Sequence, residues 1–349
     1  MKKLLNTLYV TTDNAYLGKD GTNVVVSLDG KEIFRIPILN IESICTFGYQ
    51  GASPGLMRLC ADNGVSLAFF SPRGRFITRC RGPVNGNIIL RKRQFDLLHD
   101  TQFCLKISSL FTTGKIFNSR VTLRRFVRDY PDRPGVDNVE SSSLQLKHIY
   151  QSIGRLQDME SLRGAEGRAA AIYFDAFPYL ILNQSPYFSL KKRIRRPPTD
   201  IVNAMLSMGY SLLANDCVSA LEGVGLDPAA GFMHTLRPGR NSLALDLMEE
   251  MRSYIVDRLV LSMINTRQIS HTDFMIHTDN DDINPAPVLF TDSGLKKFLA
   301  AWQAKKRAEI IHPFLNEKIR LGLLPHIQAM LLARYLRHDL DNYPVFLAK

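Results

Sequence analysis

Two Asp-Gly dipeptides near the amino end, Asp20-Gly21 and Asp29-Gly30, constrain this chain more than any other local feature. They separate short runs of strand character at 15–19, 23–28 and 32–38; in the last, Ile33, Arg35 and Pro37 alternate with Phe34, Ile36 and Ile38. Asp-Gly between such runs is a strong hairpin signal, because tight hairpin loops need positive φ angles that these residues tolerate. Further strands are expected at 41–47, 65–70 and 75–81, with a short helix at 54–63. Residues 1–85 thus read as a small β-rich, sandwich-like domain with one inserted helix.

After Gly82-Pro83 the texture turns helical. Helices are expected over 88–112 and 115–130, then a mostly polar loop over 131–139. Leu146, Ile149, Ile153, Leu156, Met159 and Leu162 recur at three- and four-residue steps, which predicts one long helix carrying Glu166. Pro197-Pro198-Thr199-Asp200 marks a helix start, capped by Thr199 or Asp200 and running to about Gly223. Asn241 or Ser242 caps the next, and helices follow over 293–322 and 325–341. The expected class is α+β in two domains: the β-rich domain over 1–85 and a larger all-α catalytic domain over 86–349.

Of the 349 residues, 45% are hydrophobic and 22% charged, as in soluble globular proteins. The 44 Lys and Arg against 33 Asp and Glu leave a net charge of +11, which favours nucleic acid or an anionic membrane surface as partner. No apolar run approaches the ~20 residues of a spanning helix, so a membrane is the weaker option. Met1 to Leu5 begins like a secretory leader, but Asn6, Thr7 and residues 11–14 interrupt it before any cleavage pattern. Cys45, Cys60, Cys80, Cys104 and Cys217 are odd in number and widely spaced, with no C-x-x-C pair. They suggest neither a zinc knuckle nor a disulfide framework, but reduced thiols in a cytoplasmic protein.

The stretch Leu162-Arg163-Gly164-Ala165-Glu166-Gly167-Arg168-Ala169-Ala170 sets a carboxylate between two glycines inside a helical pattern. Each glycine costs about 1 kcal/mol relative to alanine there. Sequences break such a rule where function or close packing requires it. Downstream stand His234 and the acids Asp246, Glu249 and Glu250, whose spacing puts all three on one helix face. Taken singly, each has a commoner origin: a solvated face with Glu249 pairing Arg252, a satisfied turn histidine, or Glu166 pairing Arg163. Together, one imidazole and two carboxylates suit Mg²⁺ or Mn²⁺ and suit structural zinc poorly. A second cluster, His271, Asp273, His277, Asp279, Asp281 and Asp282, lies beside Asn280, Asn284 and Pro285 and reads as a solvated connecting loop.

Lys191-Lys192-Arg193-Ile194-Arg195-Arg196 packs five cations into six residues. Arg120, Arg124, Arg125 and Arg128 share one broad helix face, and Arg91-Lys92-Arg93 and Lys305-Lys306-Arg307 add two more clusters. One such cluster alone is more simply a solubilising face. Four in a chain of this charge point to phosphate contact. Tyr187 and Phe188 have two readings, stacking on exposed bases or core packing.

Several motifs recur in order: L-x-G-x-E-G-x-A-A at 162–170, R-P-P-T-D-x-x-N at 196–203, G-L-D-P at 225–228, G-F-M-H at 231–234, and G-R-x-S-L-x-L-D-L-M-E-E at 239–250. Over essentially its whole length the chain resembles the CRISPR-associated spacer-acquisition integrases, the metal-dependent endonucleases of the adaptation module, and most of all their type I-C form. The resemblance implies metal ligation by Glu166, His234 and Glu249, with Asp246 shaping the site or sharing the Mg²⁺ or Mn²⁺. Many relatives have aspartate where Glu249 stands. It implies that 3′-hydroxyl ends of spacer DNA are joined to CRISPR repeats by transesterification. It further implies a homodimer, two of which clamp a dimer of a small ferredoxin-like partner, with an end-trimming nuclease as another associate. The expected DNA contacts are Arg163, Lys191, Lys192, Arg193, Arg195, Arg196, Arg237 and Arg240. A branched-DNA repair nuclease using the same residues, and a non-catalytic DNA-binding scaffold, are the alternatives.

Overall fold

In the computed structural model, which describes residues 6–72, 74–80, 82, 88–183, 186–194, 197–276 and 286–348, both Asp-Gly dipeptides make the expected hairpins. After β1 (Thr7–Val10), strands β2 (Tyr16–Asp20), β3 (Asn23–Leu28) and β4 (Lys31–Pro37) form an antiparallel meander. Asp29 and Gly30 have φ of 50° and 76°, the two positive values of a type I′ turn. A second sheet has the order β1, β5 (Ser43–Phe47), β6 (Ser66–Phe70), β7 (Phe76–Cys80). In it β1, β5 and β6 run parallel, and β7 pairs antiparallel to β6. The inserted helix, α1 (Pro54–Asp62), is the crossover that parallel β5 and β6 require, since a tight turn cannot join parallel strands. Val10, Ile44 and Leu67 of this sheet, Leu17, Val24 and Val26 of the meander, and Leu56 and Cys60 of α1 pack into one core. Sequence reasoning missed β1, a four-residue strand with no hairpin of its own.

The helical part departs from expectation at its breaks. α2 (Ile88–Leu97) ends early, and Asp100 caps α3 (Thr101–Asp129) by accepting the Phe103 N–H at 2.9 Å. α3 then runs unbroken through Gly114, where a helix boundary was expected. A Cβ on Gly114 would lie 2.6 Å from Val345 Cγ2 and 2.8 Å from Glu250 Cβ, so that glycine serves close packing and breaks nothing. The long helix predicted to carry Glu166 is two: α4 (Val136–Ser152) and α5 (Met159–Ala176). Asp158 caps α5 by accepting from Ser161 N and Oγ, each at 2.7 Å. The apolar steps continue across this break and hide it. α6 (Ile201–Gly223) starts at Asp200, whose carboxylate accepts the Asn203 N–H at 2.7 Å.

α7 (Ser242–Met248) gives way to a wide π-type turn at Ser253–Asp257 before α8 (Arg258–Asn265). Then come the paired β8 (Phe274–Ile276) and β9 (Val288–Phe290), followed by α9 (Asp292–Arg307). The helix expected over 293–322 stops at Arg307, and β10 (Glu309–Ile311) and β11 (Lys318–Arg320) form a small hairpin before α10 (Leu324–Leu336). By its contacts the chain divides into two compact units, Met1–Asn85 with Ile269–Ala308, and Gly86–Gln268 with Glu309–Lys349. The sequence expectation had placed 269–308 in the helical domain. Among the described residues no helix is long and apolar enough to cross a membrane.

Candidate functional site

Every residue of the candidate site lies in the second unit. Gly231 presses the loop before His234 onto the start of α7: a Cβ there would meet the backbone at Ser242 and Leu243 at 2.6–2.7 Å. Fully buried Gln94 of α2 braces the loop from the other side. It donates to Asp227 O at 2.8 Å and Ala230 O at 2.9 Å, and accepts from Asp227 N at 2.8 Å. So placed, the loop aims three successive N–H groups at the Asp246 carboxylate: Phe232 at 2.7 Å, Met233 at 3.0 Å and His234 at 3.0 Å. The fourth partner is His234 Nδ1, 2.5 Å from Asp246 Oδ1. A carboxylate only accepts, so Nδ1 carries the proton and Nε2 keeps its lone pair in the neutral ring. With four donors on two oxygens, Asp246 is a positioning group for His234.

Glu166 reaches the same neighbourhood from α5. Three residues before it, Arg163 donates to Met233 O at 3.1 Å and ties α5 to the histidine loop. Lys115 of α3 binds Glu166 Oε1 with its ammonium, which also lies 2.8 Å from Glu249 Oε2. Glu249 Oε1 pairs with Arg252 Nη2 at 3.0 Å, as the solvated-face alternative had paired them, but here Glu249 is buried and Arg252 half-buried. Burial alone would raise the Glu249 carboxyl; Arg252 and then Lys115, helped by nearby His234, outweigh it and bring the pKa down to about 2. The carboxylate is therefore charged at any working pH.

The three acids expected on one face go three ways. Asp246 turns to His234, Glu249 to Lys115 and Arg252, and Glu250 to the carboxyl-terminal segment. The chain tightens after α7, with Glu249 N and Met251 N each bonded three residues back, which ends the regular helix face that the spacing assumed. Glu250 accepts from Tyr343 Oη, from Phe346 N and from Gln328 Nε2, the last at 3.0 Å.

As donors for a hard divalent cation, Glu166, Glu249 and the Nε2 of His234 suit Mg²⁺ or Mn²⁺. One observation supports the fit: Glu249 Oε2 is buried and accepts no aligned hydrogen bond, although an ammonium is close by. As the side chains stand, no three His, Cys, Asp or Glu residues among those described converge closely enough to hold a metal ion. The Lys115 ammonium stands between the two carboxylates instead. Sequence reasoning missed Lys115. The available signal was its place on the same stripe of α3 as Phe111, Gly114 and Asn118, a face otherwise buried.

The basic residues divide. Lys191, Lys192 and Arg237 are exposed and Arg240 is half-buried. Arg193 is held in the fold, donating to Asn203 Oδ1 at 2.7 Å and Ser207 Oγ at 3.1 Å while stacking on Tyr210. Arg125 and Arg128 pair with Asp129. Phe188 is buried, in keeping with core packing, and Tyr187 is exposed. Arg195 and Arg196 lie outside the described residues, as do His277, Asp279, Asp281 and Asp282 of the second acidic cluster. Of that cluster, Asp273 is tied to Lys297 at 2.8 and 2.9 Å and to Ser270 N at 2.9 Å, and His271 is exposed.

The model of the CRISPR-associated protein Cas1 family matches residues 8–304. The chain belongs to the Cas1 family. It is 46% identical to a CRISPR-associated endonuclease Cas1 of Chlorobaculum tepidum over 99% of both chains. A CRISPR-associated endonuclease Cas1 of Rhodospirillum rubrum is 47% identical over 99% of this chain and 98% of its own. A Cas4/Cas1 fusion of Geobacter sulfurreducens is 31% identical over 98% of this chain and 60% of its own. Among solved structures, a casposase bound to integration product matches with TM-score 0.81 and 21% identity over 98% of this chain and 94% of its own. A chain of a Cas6-RT-Cas1–Cas2 complex matches with TM-score 0.84 and 19% identity, over 100% of this chain and 37% of its own. These structural likenesses establish the mixed α+β Cas1 fold, β-rich at the amino end and helical beyond.

Proposed function

We propose that this Cas1 chain joins 3′-hydroxyl ends of DNA to a DNA target by metal-dependent transesterification, in the manner of spacer acquisition. The observation that carries the reading is the pair of carboxylates Glu166 and Glu249 drawn onto one ammonium in a basic chain, with His234 close enough to act on Glu249 and held at Nδ1 by Asp246. Glu166, Glu249 and His234 would hold Mg²⁺ or Mn²⁺. A bound cation would polarise the scissile phosphate and favour ionisation of the attacking 3′-hydroxyl. The bond from that oxygen to phosphorus forms as the bond to the departing 3′-oxygen breaks, so one phosphodiester replaces another and no ATP is needed. Asp246 fixes the ring nitrogen that faces the reaction, and Arg252 steadies Glu249 from behind. Exposed Lys191, Lys192 and Arg237 suit phosphate contacts along the bound strands. Water in place of the hydroxyl would give nuclease activity.

The relatives' names support a DNA-cutting or strand-joining enzyme, and the Cas1–Cas2 complex and the Cas4/Cas1 fusion support adaptation partners of those kinds. We extend the reading to a homodimer acting in the cytoplasm with a small Cas2-like partner, and to the type I-C form on the strength of the motifs. A labelled 3′ end tests the reaction. The native chain with Mn²⁺ is expected to join it to a repeat-bearing duplex, and Glu166→Ala and His234→Ala to bind DNA without joining. Undiminished joining by either variant would refute the site. Cutting of branched DNA without joining would favour a repair nuclease, and indifference to EDTA a scaffold.

A further inference from the structure

The Lys115 ammonium lies between Glu166 and Glu249, two of the residues that would hold a divalent cation. Its side chain is 13% exposed, and its ammonium touches one oxygen of each carboxylate. Packing fixes the backbone there: Gly114 lets α3 press onto Glu250 and Val345, with no room for a Cβ. Three residues on, Asn118 donates to Glu250 O at 2.6 Å and Phe346 O at 2.8 Å, and accepts from Ala348 N at 2.8 Å. The Lys115 backbone therefore cannot drift from the Glu249 turn. The ammonium is held differently: it donates to Glu166 Oε1, but its contact with Glu249 Oε2 lacks hydrogen-bond alignment, and it ends a flexible four-carbon stem that can carry it away. Arg252 differs: it pairs with Glu249 Oε1 and stacks on Tyr210, its guanidinium carbon 5.1 Å from the ring centroid.

We propose that Lys115 is the resident counter-cation of this site. It holds Glu166 and Glu249 together in the metal-free protein, competes with a divalent ion for their oxygens, and swings clear on its stem when the ion binds. An ammonium and a divalent cation cannot share the same two oxygens, since each would lie within contact distance of the other's positive charge. Two carboxylates without either would repel across a buried gap. Lysine suits the task because it is a compact point charge that can withdraw; arginine is a planar fork that locks in place. Lys115 is thus a positioning residue whose effect is read first in metal affinity. The inference rests on the proposed metal site.

The test is calorimetric titration of the full metal-free chain with MnCl₂, alongside thermal melts with and without Mn²⁺. Lys115→Met is expected to bind Mn²⁺ at least tenfold more tightly than the native chain, and to melt at a lower temperature without metal, a loss that Mn²⁺ restores. Lys115→Arg, which keeps the charge but locks in place, is expected to bind Mn²⁺ no more tightly than the native chain. Lys115→Gln is the second neutral variant should the methionine fail to fold. Equal or weaker Mn²⁺ affinity in a folded neutral variant overturns the competition and leaves the metal site standing. Absence of Mn²⁺ binding in native and neutral chains alike overturns the metal site and this inference with it. Failure of both neutral variants to fold overturns the exchangeable role.

Discussion

His234 Nδ1 lies 2.5 Å from Asp246 Oδ1, and that contact decides which face of the imidazole is left for chemistry. Asp246 is wholly buried and takes three backbone N–H groups besides, so neither partner can turn without orphaning several donors.

Asp246→Asn keeps the shape and removes the charge, and one of its two termini becomes a donor facing donors. The ring then loses its fixed tautomer. Mn²⁺ affinity is expected to fall about 10- to 100-fold, the usual cost of removing the carboxylate behind a metal-facing histidine. Strand joining should fall in step. Calorimetry with MnCl₂ and the labelled-end assay check both, and an affinity equal to native would show that the contact does not tune His234.

Gly164 and Gly167 are exposed, and a Cβ on either would meet nothing within 4 Å. Packing within this chain therefore does not explain them, although close packing was one of the two reasons the sequence suggested. Gly164→Ala and Gly167→Ala should each stabilise α5 by about 1 kcal/mol. If they leave room for a DNA backbone beside Glu166, the same changes should slow strand joining tenfold or more. Urea melts and the joining assay separate the two effects, and stabilised variants with native joining would remove the glycines from the site.

Glu166, His234, Asp246 and Glu249 stood out as candidates because each sits in a local motif that breaks a rule or repeats a spacing; the fold pairs His234 with Asp246 and brings Glu166 and Glu249 to one ammonium. Asp-Gly hairpins were legible for the same reason, although in the first Asp20 pairs with Asn23 and the loop is Gly21-Thr22. What stayed hidden depends on partners distant in sequence. Lys115 looks like any helical lysine until α5 and the Glu249 turn are folded beside it. Glu250 looks like a twin of Glu249, yet its partners Gln328, Tyr343 and Phe346 lie some 80–100 residues away. The break before α5 was missed because apolar steps of three and four persist across a short turn, and only the Asp158 cap marks it.

Glu250 and Glu249 should accordingly respond differently to substitution. Glu250→Ala leaves the Tyr343 hydroxyl and the Phe346 N–H facing a cavity, while the Gln328 amide keeps Tyr343 Oη and Pro344 O as acceptors. Each stranded buried donor costs on the order of 1–3 kcal/mol. A loss of about 3 kcal/mol or more is expected by urea unfolding, together with protease sensitivity at the carboxyl terminus. Asn118→Ala, which cuts two bonds to the same segment and one to the Glu250 carbonyl, should do likewise. A stability change under about 1 kcal/mol in both variants would mean that this segment does not hold the turn after α7 in place.

Asp257 gives the stability of the second unit a pH signature. It is buried between Tyr173 Oη at 3.0 Å and Tyr210 Oη at 2.5 Å, with Arg193 and Arg252 nearby. Burial pushes its carboxyl from 3.8 up to about 6, and the two hydroxyls and the guanidiniums only partly resist. The folded chain therefore holds this proton over a range where the unfolded chain has released it. The associated stability is fully present below pH 3.8 and is lost as the pH rises through about 6, the opposite of the trend from Glu249, whose lowered pKa favours folding above its unfolded value. A shift of about two units corresponds to roughly 3 kcal/mol. Asp257→Asn removes the titration, so the difference between native and variant unfolding free energies should change by about that amount between pH 4 and pH 7, the native chain losing more. Parallel curves over that range would show that Asp257 ionises as freely in the fold as in the unfolded chain.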